Sequence, residues 1–419
     1  MNNQMSLITL LTLVLLGCTN VIALTTIDSR VSSPQKAEST PLEPSKPIEQ
    51  QLAGDGSHSY SISMTAGQFL FLIVEQKGID VVVTLFAPDG KKLAEVDSPN
   101  GKKGPEQLAI VIEASGMYRL EVRSLEKAAA AGRYEVKIEQ LRAGTEKDRK
   151  WVLAHNTFAE AELLRAQGTA ASLRGAIAKY EESLPYYRAA DDRVSEASAL
   201  NSIGGVNFQL GDAQKALDYF NQALTLRLAI GDRLTAGRTL SNIAAIYSRM
   251  GEVQKALDSF DHALSLIRAV GDSRTEAYIL NNMGNLYFDQ SEFRKALDYF
   301  NQSLAISKAV GDRIAEATTI NNIGGVYNSF GEKAKALESL NQALATYRAT
   351  GLRANEGATL NNIGLAYFDL GQTQKALDYY NQALPIARTV GDKAAEANTL
   401  SNLGNVYRDL GEKQTSLDY

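Results

Sequence analysis

Hydrophobic and polar positions repeat with two different periods along this chain, and the period changes near Gly144. Before that point, short segments such as YRLEVRS and YEVKIEQ alternate apolar with polar residues, which predicts β-strands. After it, apolar residues recur every three or four positions, which predicts amphipathic α-helices. The pattern therefore predicts a multidomain protein with an all-β region followed by an all-α region.

The β region is predicted to span residues 51–142. Turn-forming residues separate its apolar segments at Ala66-Gly67, Pro88-Asp89-Gly90, Pro99-Asn100-Gly101 and Ser115-Gly116. About seven short strands with turns at this spacing are typical of a small antiparallel sandwich.

The segments IDVVVTLFAPDGKKLAEVDS, ASGMYRLEVRS and GRYEVKIEQL resemble the bacterial pre-peptidase C-terminal family. The resemblance implies a jelly-roll-like sandwich on a secreted bacterial protein, and some members bind calcium. The acidic residues with suitable oxygen ligands are Asp55, Asp80, Asp89 and Asp97. They lack a dense D-x-D-x-D spacing, and Asp89 lies in an Asp-Gly turn. Turn formation is therefore favoured over calcium, and no metal site is predicted.

The helical region repeats itself every forty residues, which is the mark of a solenoid. One column of the repeat holds a small residue at Gly204, Ala244, Gly284, Gly324, Gly364 and Gly404. Glycine in a helix interior costs about 1 kcal/mol relative to alanine, so its recurrence predicts a close approach by a partner helix. Pairs such as Gly311-Asp312 are predicted to end one helix and cap the next.

The recurring leucine, small residue and tyrosine, then alanine, aromatic and alanine, resemble the tetratricopeptide repeat in a forty-residue form. The resemblance implies an all-α, right-handed superhelical solenoid. We expect a linker helix and degenerate repeat at 145–195, then the array at 196–419 with a truncated last repeat. Similar repeats occur in kinesin light chains, in Pins-type scaffolds and before the caspase-like CHAT domain of bacterial peptidases.

In this family the first helix of each pair lines a concave groove. At 100° per residue, Asn282 points nearly opposite the apolar face of Leu280, Met283 and Tyr287, so we predict that it is exposed there. Its column comprises Asn242, Asn282, Asn322, Asn362 and Asn402. An amide donates and accepts, which suits a peptide backbone. Alternatively, these residues persist from recent duplication or bond a neighbouring helix.

Asn285, Asp289 and Asp369 are the further predicted groove residues. The groove columns are mildly acidic, with only Arg249 basic, which favours a neutral or basic peptide partner. A net charge of −5 argues against nucleic acid.

No phosphate loop, zinc-binding helix or nucleophile elbow occurs in the sequence. We therefore predict a non-catalytic interaction scaffold without a cofactor. The alternative is the sensory part of a CHAT-type peptidase whose catalytic domain lies beyond residue 419. Because no capping helix follows the last repeat, the chain is expected to be a fragment.

Residues 1–23 are predicted to be a signal peptide or lipoprotein leader, with an uncharged apolar run from Leu7 to Gly17. Leu15–Cys18 resembles a lipobox, which would lipidate Cys18, whereas Val21–Ala23 would suit ordinary cleavage. Residues 24–50 are rich in proline and serine and are predicted to be a disordered tether. We expect export to the periplasm or cell surface, with membrane contact only through a lipid anchor.

Overall fold

The computed structural model describes residues 39–97, 103–126 and 128–418. The predicted leader, with Cys18, and the first part of the tether lie outside the described residues. Packing divides the chain into two compact units, with the boundary between Asp232 and Arg233, and each is described by itself.

The first unit begins with a β-sandwich whose strands form two sheets. The strands are β1 Thr40–Pro41, β2 Ile48–Leu52, β3 Ser57–Met64, β4 Gln68–Lys77, β5 Val81–Phe86, β6 Lys92–Val96, β7 Lys103–Val111, β8 Gly116–Ser124 and β9 Gly132–Ala143. One sheet has the order β1-β3-β8-β5-β6 and the other has the order β2-β9-β4-β7. Neighbouring strands are antiparallel except for the short parallel pair β1–β3.

Both sheets contribute to one core, because alternate residues of each strand point inward. Leu70, Leu72 and Val74 of β4 are fully buried in this core. The hydroxyls of Tyr60 in one sheet and Tyr134 in the other lie 2.5 Å apart, so this hydrogen bond joins the sheets inside the core. Burial strongly raises the pKa of Tyr134.

The sandwich begins earlier than the predicted boundary at residue 51. Residues 40–50 were expected to be disordered, yet Leu42 is only 3% exposed and β2 starts at Ile48. In addition, β2 pairs with β9 along its whole length. The prediction failed here because proline and serine dominate the local composition, while the pairing partner lies more than eighty residues away.

Four helices complete the first unit, α1 Glu146–Ala166, α2 Ala170–Ala190, α3 Arg193–Gln209 and α4 Ala213–Ala229. Helix α1 begins with a reciprocal capping box formed by Thr145 and Asp148. Trp151 of α1 contacts the rings of Phe69 and Phe71 on the outer face of the sandwich. Trp151 is therefore a packing anchor between the β region and the helices of this unit.

The second unit consists of helix pairs. Its helices are α5 Arg233–Arg249, α6 Val253–Val270, α7 Ser273–Asp289, α8 Phe293–Ala309, α9 Arg313–Ser329, α10 Lys333–Thr350, α11 Arg353–Asp369, α12 Thr373–Val390, α13 Lys393–Asp409 and α14 Lys413–Asp418. We call the odd-numbered members from α3 onward the first helices and the even-numbered members the second helices. Gly271 is left-handed at φ 74° and the Asp272 side chain caps α7, as the Gly-Asp pattern predicts.

The small-residue column marks the close approach of the two helices in a pair. A Cβ atom on Gly284 would lie 2.5 Å from Phe300 Cε1, and one on Gly364 would lie 2.6 Å from Tyr380 Cε1. Real Cβ atoms essentially never approach so closely. The steric reason predicted for the recurring glycine is therefore confirmed.

The described helices include none with the length and apolarity needed to cross a membrane.

Candidate functional site

The predicted asparagine column is buried, not exposed. Asn242, Asn282, Asn322 and Asn362 are between 3% and 5% exposed, and Asn402 is half-buried. The prediction that these amides face an open groove is therefore wrong. Their role in binding a peptide stays a prediction.

The first helices are buried on more than one face. Every residue from 279 to 286 in α7 is buried, although only part of that stretch faces α8. Helix α7 also contacts the first helices on either side, α5 and α9. The spacing of apolar residues along a helix identifies only its apolar face. The second interface of α7 consists of small and polar residues, so this spacing does not predict it.

Side-chain amides connect neighbouring first helices in the second unit. Asn322 Nδ2 of α9 donates to Oδ1 of Asn281 and Oδ1 of Asn285 in α7, at 3.1 Å each. Asn402 Nδ2 of α13 donates in the same register to Asn361 Oδ1 of α11, also at 3.1 Å. We call these contacts the asparagine ladder. The sequence left open whether the asparagines bind a peptide, persist from duplication or bond a neighbouring helix. For Asn322 and Asn402, the structure shows a hydrogen bond to a neighbouring helix.

Among the described helices, the ladder contacts do not extend to the step between α5 and α7. In the register of Asn322 and Asn281, the partner of Asn282 would be residue 241, where the chain has serine instead of asparagine. Asn282 Nδ2 and Ser241 Oγ are both buried, and neither has a hydrogen-bond partner among the described residues. Since a buried polar group without a partner is costly, this step is weak.

Beside the ladder, a small polar recess opens on the face formed by α7, α9 and α11. It has a volume of about 30 Å³ and is lined by Asn281, Asn285, Thr318, Asn321, Asn322, Tyr347, Asn355, Ala358 and Thr359. The recess is large enough for one or two water molecules or for a single polar group of a ligand. Its rim reaches solvent, because Thr318, Asn321 and Asn355 are only partly buried.

The recess has both fixed and available hydrogen-bonding groups. Asn321 Oδ1 accepts from Thr359 Oγ1 at 3.0 Å, and Tyr347 donates its hydroxyl hydrogen to Thr318 Oγ1 at 3.1 Å. Burial raises the pKa of Tyr347, so its hydroxyl stays protonated at neutral pH. Asn281 and Asn285 accept from Asn322, but among the described residues their own Nδ2 groups donate to no protein acceptor.

Sequence reasoning identified Asn285 but missed most residues of the recess. The missed side chains are those of Asn281, Thr318, Asn321, Tyr347, Asn355 and Thr359. A signal was present, because asparagine occurs in adjacent pairs at 281–282, 321–322 and 361–362. Asn281 and Asn361, the first members of two of these pairs, carry accepting groups of the ladder, whereas the prediction considered only the second members.

The two acidic residues predicted for the groove differ in their surroundings. Asp369 Oδ2 lies 2.6 Å from Lys333 Nζ and accepts from Asn328 Nδ2 at 3.2 Å. The Asp369 carboxylate is therefore already paired with side chains of this chain. Asp289 is exposed near the end of α7, where desolvation by the surrounding protein raises the pKa of its carboxyl group.

The described residues contain no group of three histidine, cysteine or acidic side chains arranged to hold a metal ion. Asp89, one of the four calcium candidates, accepts from the backbone N–H of Lys91 at 3.0 Å within its turn. His155 is partly buried, and its ring centroid lies 3.7 Å from that of Trp151. His58 lies 2.8 Å from the Tyr134 hydroxyl in the sandwich.

Comparison with known proteins identifies the helices. Two family models, both described as tetratricopeptide repeat, match the sequence at residues 235–309, 275–349 and 355–419 and at residues 169–232. No curated protein matches it.

Among solved structures, aspartyl phosphate phosphatase F from Bacillus subtilis is similar with a TM-score of 0.55 and 14% identity, over 65% of this chain and 70% of that one. The apo form of RapI has a TM-score of 0.51 and 19% identity, over 65% and 74%. BtubC from P. vanneervenii has a TM-score of 0.46 and 23% identity, over 54% and 93%. At these identities the likeness to phosphatase F and to RapI shows the fold alone. Together, the two family matches cover more than half of the chain, which therefore belongs to the tetratricopeptide repeat family through its helical part.

Proposed function

We propose that the chain is a non-catalytic scaffold that binds a peptide segment across the first helices α7, α9 and α11. The observation that carries this proposal is the polar recess, where the Nδ2 groups of Asn281 and Asn285 have no acceptor among the residues that the structure describes. A carbonyl group of an extended peptide supplies the acceptor that these donors lack. The family supports the proposal, since its repeats present first helices to partners.

The ladder gives this site its rigidity. Asn322 holds the oxygen atoms of Asn281 and Asn285, which fixes the direction in which the two Nδ2 groups point. A binding group that is already oriented loses less conformational entropy when its ligand arrives. Asn322 of the predicted column thus orients the groups that bind the peptide, and it lines the recess beside them.

The recess is lined by uncharged side chains. Specificity near it therefore depends on hydrogen-bond geometry and shape, and a charged peptide group would lose its hydration without gaining an opposite charge. Of the neutral or basic segments predicted from the sequence, this supports the neutral ones.

Hydrogen exchange tests the location. Peptides would first be selected from a random displayed library on the full chain. Exchange would then be measured with and without a selected peptide. The proposal predicts slower exchange in α7, α9 and α11. Protection limited to the second helices or to the sandwich would refute it.

Export is a separate proposal, supported by the uncharged apolar run Leu7–Gly17. Mass spectrometry of the protein from its native cells distinguishes a lipidated Cys18 from cleavage after Ala23. An intact Met1 would contradict export by either route.

The proposal of a CHAT-type peptidase rests on the order of a β-sandwich followed by forty-residue repeats. The reading frame beyond residue 419 tests it, because such a peptidase needs a histidine and cysteine pair there. A frame that encodes only further repeats would contradict it.

A further inference from the structure

The first unit contains a second cleft, away from the ladder, that no function has yet explained. It has a volume of about 430 Å³, within the range of small-ligand sites. Phe69 and Phe71 of β4, Gln140 and Arg142 of β9, and Lys147 and Trp151 of α1 line it with three further residues. We call it the aromatic cleft.

The floor of the aromatic cleft is an outer face of the sandwich, and this face is unusual because it carries aromatic side chains. Leu70 and Leu72 point into the core, so Phe69 and Phe71 point outward, where polar residues normally alternate with the core positions. Helix α1 covers Phe69, which is 5% exposed, but it leaves Phe71 only partly buried. An apolar ring is thus left in reach of a ligand.

Trp151 forms a wall that is already held in place. Its ring centroid lies 6.4 Å from that of Phe69 and 6.1 Å from that of Phe71, both edge to face. Its Nε1 donates to Asp192 Oδ2 at 2.8 Å, and His155 lies against the ring at 3.7 Å between centroids. A fixed aromatic wall reduces the entropy lost when a ligand binds.

The charge of the cleft is positive, although the chain carries a net charge of −5. Arg142 binds Asp148 through both terminal nitrogens, at 2.7 and 2.8 Å, which lowers the pKa of that carboxyl group and neutralises the pair. The side chain of Lys147 is 65% exposed, and its contact with the equally exposed Asp191 is 3.6 Å long. Since exposed pairs of this kind are weak, the Lys147 ammonium is available to an anion.

We propose that the aromatic cleft binds an aromatic residue of a partner peptide together with a carboxylate on or next to that residue. The ring packs against Phe71 and Trp151, and the carboxylate pairs with Lys147. Charge complementarity selects this class of ligand over an aromatic cation.

Trp151 reports on the cleft directly, because it is the only tryptophan of the chain. The full chain would be titrated with N-acetylphenylalanine while Trp151 emission is followed. We expect saturation with a dissociation constant on the order of 1 mM, typical for burial of a single ring. N-acetylphenylalanine amide, which lacks the carboxylate, is expected to bind at least threefold more weakly.

Two variants test the two halves of the site. The Lys147→Gln variant should bind N-acetylphenylalanine as weakly as it binds the amide. The control Lys91→Gln changes an exposed lysine next to a β-turn and should leave the affinity for N-acetylphenylalanine unchanged. Phe71→Ala should weaken both ligands at least fivefold. If Phe71→Ala does not fold, the indole N–H resonance of wild-type Trp151 must still shift on titration. Absence of saturable binding, equal affinity for acid and amide, or no effect of Lys147→Gln would each overturn the proposal.

Discussion

Asn322 Nδ2 lies 3.1 Å from Oδ1 of Asn281, a residue forty-one positions earlier in the preceding repeat. The two side chains are 4% and 8% exposed. Asn322 was predicted to face a ligand, but this hydrogen bond holds it in the protein interior. It also orients the amides of Asn281 and Asn285 that border the recess.

Replacing Asn322 by alanine should therefore destabilise the array. The change removes two hydrogen bonds and leaves the oxygen atoms of Asn281 and Asn285 without this donor, at a cost of about 1–3 kcal/mol. Because repeat arrays unfold in parts, hydrogen exchange in α7 and α9 is the appropriate measurement. Asn341→Ala, at an exposed asparagine of α10, serves as the control. Equal exchange rates in the two variants would contradict a structural role for Asn322.

Completing the ladder should stabilise the step between α5 and α7. Ser241→Asn supplies an acceptor for the unpaired Asn282 Nδ2, and we expect a gain of about 1 kcal/mol. The reciprocal change Asn281→Ser removes an acceptor of Asn322 and should weaken the next step by a similar amount. Exchange rates in α5, α7 and α9 check both outcomes. A Ser241→Asn protein in which α5 and α7 exchange faster would show that the space at residue 241 cannot hold the amide.

A larger side chain at Gly284 should force the pair α7 and α8 apart. Even a single Cβ atom would lie 2.5 Å from Phe300, so Gly284→Val is expected to cost about 3 kcal/mol through overpacking. Gly284→Ala should cost less, because alanine restores helix propensity and Ala244 occupies the same column. The midpoint of unfolding in urea measures both. Equal midpoints for wild type and Gly284→Val would contradict the close approach.

Acid should destabilise the surroundings of His155 before it titrates most carboxylates. Burial lowers the pKa of His155 to about 4, against an ordinary value of 6.5. The unfolded chain therefore binds a proton that the folded chain does not as the pH falls from 6.5 toward 4, and stability decreases with falling pH. At pH 5 the loss is about 2 kcal/mol.

Denaturant unfolding followed by Trp151 fluorescence measures this effect, because His155 stacks on that ring. His155→Phe keeps an aromatic ring but has no proton to bind, so its stability should change less between pH 6.5 and 5. The same pH dependence in both proteins would assign the effect to other groups.

The sequence was informative wherever a single helix or turn decides the outcome. The recurring glycine and the Gly-Asp turns were both predicted, because each depends on residues close in sequence. The repeat period itself predicted the solenoid. These features need no knowledge of how neighbouring repeats pack.

Contacts between repeats could not be predicted from residues that are close in sequence. Asn282 was assigned to an open face because one helix reveals only one apolar face, and the neighbouring first helix covers the other.

The most direct test of the account compares a library-selected peptide on wild type and on Asn285→Asp. The carboxylate keeps an oxygen atom for Asn322 but removes the donor that faces the recess. Gln342→Glu, the same change at an exposed residue of α10, is the matched control. We predict at least tenfold weaker binding by Asn285→Asp and unchanged binding by Gln342→Glu. Equal dissociation constants for all three proteins would contradict the proposal that the recess binds the peptide.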